Sequence, residues 1–110
     1  MTLFISDDEV QKALDFLRDN AGKAALARAQ RIYVEEYRKT VKAQIMQEHK
    51  EESGIAQERE AYADERYKQH LKAIAQAIED DEYNRFMRVA AEAKIEAWRS
   101  ASANFRGMKI

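Results

Sequence analysis

The chain contains no proline, and between Gly22 and Gly54 it holds no residue that stops a helix. Proline breaks helices by removing an amide donor and clashing with the preceding turn, and glycine weakens them. A chain with three glycines in 110 residues is therefore committed to long helices. The segment from Ala21 to Glu52 is thirty-two residues, or ~48 Å at 1.5 Å per residue. A compact domain of this size has a radius of gyration of ~13 Å and a diameter of about 34 Å as a uniform sphere. The helix exceeds that diameter. The sequence thus predicts a single all-α domain over 1–110, an elongated antiparallel helical hairpin of two long helices with a short N-terminal helix folded against it.

The boundaries come from local signals. Ser6-Asp7-Asp8-Glu9 fits the S-x-x-E capping box, with Ile5 and Val10 placed for a hydrophobic staple. A first helix over 7–18 presents Val10, Ala13, Leu14 and Leu17 on one face. Asn20 offers a break before the second helix, 21–52, whose stripe is Ala27, Val34, Tyr37, Val41 and Ile45. Gly54 reads as its left-handed C′ residue, inside a turn around 53–64 in which Ala56 to Tyr62 can form a short helical turn. Asp64 caps a third helix, 65–103, carrying Tyr67, Leu71, Ile74 and Ile78, then Tyr83, Met87, Ala91, Ile95 and Trp98. The acidic run at 79–82 leaves open whether that helix is continuous. Residues 104–110 read as a frayed tail.

The core is thin. Hydrophobic residues make up 45% of the chain, but nineteen of them are alanine. Ile, Leu, Val and Phe number twenty-one, near the ~20% line below which chains tend to disorder. Disorder also needs net charge, and nineteen basic against twenty acidic residues leave −1. Two long helices bury a narrow seam, so a homodimer that completes a four-helix bundle is expected. The near-balanced charge gives no bulk electrostatic case for nucleic acid or an anionic membrane. The start of the chain lacks a signal-peptide pattern, no run approaches a membrane span, and no cysteine is present, so a cytoplasmic protein is the expectation.

Catalysis has little to stand on. His49 and His70 lie among charged residues and read as solvated, outside any H-E-x-x-H pattern. Glu48/Glu51 and Glu79/Glu82 repeat an E-x-x-E spacing that on two helices could hold Mg²⁺. Each pair adjoins an expected break in a crowded acidic stretch, and a solvated face is the simpler reading. There is no glycine-rich phosphate loop, and no serine can be matched to a histidine. No catalytic residue, metal or cofactor is assigned.

Two binding surfaces remain. Tyr33, Tyr37, Tyr62 and Tyr67 flank the expected turn, and tyrosine, with an apolar body and a polar tip, suits half-buried interfaces. These four are the candidate protein-interaction residues; the competing reading is that they seal the end of the bundle. The alternative surface binds single-stranded nucleic acid through Trp98, Arg99, Phe105, Arg106 and Lys109, by stacking and phosphate contact. Arg28, Arg31, Arg38, Lys39 and Lys42 would extend it as a basic strip. Trp98 also continues the apolar stripe, which favours a packing role.

The stretches Gln57-Glu58-Arg59-Glu60-Ala61-Tyr62-Ala63, Tyr67 with His70-Leu71, and Ala93-Lys94-Ile95-Glu96-Ala97-Trp98-Arg99 resemble small uncharacterised helical proteins of tailed bacteriophages and prophages. The run Tyr33-Val34-Glu35-Glu36-Tyr37 and the capped first helix are similar too. The resemblance implies a phage-encoded accessory protein in the bacterial host cytoplasm, serving DNA replication or recombination or modulating a host enzyme of that pathway. It brings no catalytic or binding residues.

Overall fold

A computed structural model describes residues 4–108. The chain forms α1 (Asp7–Asp19), α2 (Ala21–Glu48), α3 (Gly54–Ala63) and α4 (Glu65–Met108), with no strand among the described residues. None of these helices is long and apolar enough to cross a membrane.

The caps form as the sequence dictates at α1 and α4. The Ser6 hydroxyl accepts the Glu9 amide at 3.1 Å, and the Glu9 carboxylate accepts the Ser6 amide at 3.1 Å. Asn20 alone separates α1 from α2. Its backbone amide and its side-chain amide both donate to the Phe16 carbonyl, at 2.9 and 3.0 Å, while its own carbonyl accepts the Ala24 amide at 2.9 Å. Asp64 caps α4 by accepting the Arg66 amide at 2.8 Å.

The region around 53–64 differs from the expected turn. α2 ends at Glu48, not Glu52. Tighter i→i+3 bonds follow, the His49 amide to the Met46 carbonyl of α2 at 3.0 Å and the Glu52 amide to His49 just beyond it at 2.9 Å. Gly54 is not a left-handed C′ residue, because among the described residues none has positive φ. It opens α3. Ser53, extended at φ −65° and ψ 159°, is the N-cap whose hydroxyl accepts the Ala56 amide at 3.2 Å. A serine cap satisfies an orphan donor, so it starts a helix at the point where glycine suggested only a stop. α4 runs unbroken through 79–82 and remains helical to Met108 in place of a frayed tail. No breaker interrupts it, and basic residues suit its C-terminal end. Lys109 lies outside the described residues.

Two compact units form, Leu26–Glu82 and Met1–Ala25 with Tyr83–Ile110. In the first, Ile45, Ala61, Ile74 and Ala77 are buried. Its α2 and α4 segments run antiparallel, since Glu48 meets Arg66 while Arg31 meets Asp81 and Glu82. In the second, Val10, Ala13 and Ala91 are buried, and Leu17, Ile95 and Trp98 are half-buried. Leu14 sits at the flank of the α1 stripe and is exposed. Tyr83 and Met87 are exposed as well, although the expected stripe joined them to Ala91 and Ile95. A step of four residues advances 400° on a 3.6-residue turn, so each step winds the line about 40° off the contact face.

Candidate protein-interaction surface

The four tyrosines all lie in Leu26–Glu82, as two pairs and not as one cluster. Tyr33 stacks on Tyr37 one turn later, with centroids 5.7 Å apart and planes at 19°. Tyr37 in turn meets the His70 ring at 5.8 Å. Tyr62 and Tyr67, on either side of the α3–α4 junction, meet edge to face at 5.3 Å. Such pairs add about 0.5–1.5 kcal/mol beyond area burial and fix ring orientation. Tyr33 is 62% and Tyr62 50% exposed, while Tyr37 and Tyr67 are half-buried. Each pair thus has one ring anchored and one presented. Tyr33 and Tyr37 stand eleven to fifteen residues before the end of α2, roughly 17–22 Å along it. They do not seal the end of the α2–α4 pair.

Polar partners hold both pairs. The Val34 carbonyl accepts a bond from His70 Nε2 at 2.6 Å, which places the ring proton on Nε2 because a carbonyl only accepts. Lys42 donates to the Tyr62 hydroxyl at 2.9 Å and to Glu58 at 3.0 Å, and lies 4.8 Å from the Tyr62 ring centroid. Those two bonds, the tyrosine first, hold its ammonium above the usual lysine range. His70 is therefore a packed side chain with a fixed partner, not the solvated residue its charged neighbours suggested. His49 is half-buried and faces Glu52 at 3.1 Å. The sequence signal available for His70 was its i, i+3 spacing from Tyr67 on the face that carries Ile74.

Arginine claims the acidic pairs. Arg66 grips Glu48 with two nitrogens at 2.7 and 3.1 Å and also reaches Asp64 at 2.9 Å. Its side-chain bonds, then its amide, lower the Asp64 carboxyl from 3.8 to about 2. The same guanidinium lowers Glu48. Arg31 bonds Glu35 at 3.1 Å, Asp81 at 3.2 Å and Glu82 at 3.3 Å. Among the described residues no group of three or more acidic or histidine side chains is placed to hold a metal ion.

The alternative surface is arranged differently from a stacking platform. Trp98 is half-buried and donates its indole N–H to Asp7 at 2.9 Å, tying α4 to the first turn of α1. Its partial burial leaves less of the ring open to a stacked base. Arg99 pairs with Glu96 at 3.3 Å, whereas Phe105 and Arg106 are exposed. On α2, Arg31, Lys39 and Lys42 all carry carboxylate partners, so the basic strip is largely neutralised.

Comparison with known proteins finds no match: no family model fits the chain, and neither a curated protein nor a solved structure is significantly similar.

Proposed function

We propose that the protein is a non-enzymatic accessory protein that pairs with a second copy and engages a protein partner through its tyrosines, as the resemblance to phage proteins of DNA metabolism suggests. The observation that carries the reading is the pairing of each exposed ring with an anchored one. Tyr33 rests on Tyr37, which itself meets His70, and Tyr62 on Tyr67 and Lys42. A ring already fixed loses little conformational entropy on binding, which is the property of an interface anchor. The hairpin completed by dimerisation belongs to the same proposal, supported by the small number of buried side chains.

The test is affinity capture from nuclease-treated bacterial lysate with the wild-type chain and a Tyr33→Ala/Tyr62→Ala double variant. A specific protein is expected with the wild type and not with the variant, whose circular dichroism stays unchanged. Truncating an anchor ring costs about 2 kcal/mol or more when it carries an interface. Equal capture by both chains would remove the tyrosines from the account. Recovery that vanishes on nuclease treatment would move it to nucleic acid.

A further inference from the structure

Beyond Glu82, Tyr83, Phe86, Met87, Ala90, Ala93 and Ala97 recur along α4 at spacings of three and four and so share one face. Tyr83 and Phe86 are 61% and 60% exposed and Met87 38%, and Ala90 and Ala93 are exposed as well. The adjacent line Ala91, Ile95 and Trp98 already packs inward. This part of α4 therefore carries two apolar faces and uses one. Lys94 is the charged residue on that face; an exposed apolar face rimmed by charge marks an interaction site more often than chance exposure.

The order of side-chain sizes selects the occupant. Along the face the first half is bulky (Tyr83, Phe86, Met87) and the second half is alanine (Ala90, Ala93, Ala97). A parallel pair would set bulk against bulk at one end and alanine against alanine at the other, and the axes would splay. An antiparallel pair about Ala90 sets Tyr83 against Ala97 and Met87 against Ala93, large against small, and Phe86 against the aliphatic stem of Lys94. A second copy supplies the matching gradient by symmetry, as a two-fold interface requires.

We propose that this face of α4 is the seam on which a second copy docks antiparallel, with the two-fold axis at Ala90. It rests on the pairing proposed above, names its surface, and is independent of the tyrosines.

The chain has no cysteine, so introduced thiols have no background. Tyr83→Cys, Ala90→Cys and Ala97→Cys are made singly in the full chain and mildly oxidised. A disulfide needs Cα atoms within ~7 Å, and antiparallel docking leaves position 83 ~21 Å from its own copy. Covalent dimer is expected from Ala90→Cys alone and from the Tyr83→Cys and Ala97→Cys mixture, but from neither of those two alone. Self-linking of Tyr83→Cys overturns the antiparallel order. Wild-type light scattering should give twice 12.8 kDa; a strict monomer overturns both pairing and seam. A dimer that none of these thiols can link overturns the seam and leaves the pairing. Ala90→Glu, exposed and helix-compatible, should keep its helicity and weaken the dimer on the order of a hundredfold, because like charges would meet at the axis. Undiminished dimer in that variant overturns the seam.

Discussion

In Leu26–Glu82 cations close the helix pair at both ends, Arg66 on Glu48 and Asp64 and Arg31 on Asp81 and Glu82, with Ile45 sealed between neighbours. In the other unit the buried side chains among the described residues are Val10, Ala13 and Ala91, and Tyr83, Phe86, Met87 and Val89 face outward. Both leave large apolar side chains outside, Leu26, Ile32, Ile55 and Leu71 among them in the first, so it is the ion-pair clamps between helices that set the first apart. Where polar clamps fix the register, few buried side chains suffice; in the other unit the Trp98–Asp7 bond ties α4 to α1, and its outward apolar face is the one proposed to take a second chain.

The largest expected contrast is in the cores. Ile45 is 1% exposed, and Ile45→Ala should lower unfolding free energy by about 3 kcal/mol. Val89→Ala, at an exposed position of α4, should change it by less than about 0.5 kcal/mol. Urea denaturation of both variants checks this, and an equal cost would erase the contrast.

Acid should loosen the clamped unit. Asp64 titrates at about 2 when folded and 3.8 ordinarily, so between those values the unfolded chain binds more protons. The stability it contributes is complete above the ordinary value and is lost as pH falls through the folded one. Glu48 shifts in the same direction. Arg66→Ala should return both carboxyls toward their usual range and flatten this acid limb, read by NMR titration and by melting temperature against pH.

Caps act locally and should not distinguish the units. Ser6→Ala and Ser53→Ala are each expected to cost about 1 kcal/mol, measured by thermal unfolding. The smallest effect has the most informative sign. A Cβ on Gly54 meets nothing within 4 Å, and its φ is not positive. Gly54→Ala should therefore stabilise by roughly 0.4–1 kcal/mol. A left-handed Gly54 would give destabilisation instead.

The all-helical fold was legible because it rests on local signals: the missing proline, the Ser6–Glu9 box and the Asp64 cap. Gly54 was misread because glycine marks both a helix end and a permissive helix start, and only the neighbouring Ser53 decides between them. The tyrosine pairs followed partly from spacing, since Tyr33 and Tyr37 are one turn apart. The clamps were not legible. Arg31 reads as one of several basic residues on α2, and Glu48 and Glu82 as parts of acidic runs, until antiparallel packing brings residues fifty apart within hydrogen-bond reach. Which apolar stripe faces inward on α4 was equally hidden, because the 40° drift per four residues leaves Tyr83 and Ile95 on different faces.

Hydrogen exchange at increasing protein concentration tests the central contrast most directly. Amides of 26–82 should show protection independent of concentration, while those of 83–97 gain protection as the chain is concentrated. Protection at 83–97 that never changes, or a gain confined to 26–82, would contradict it.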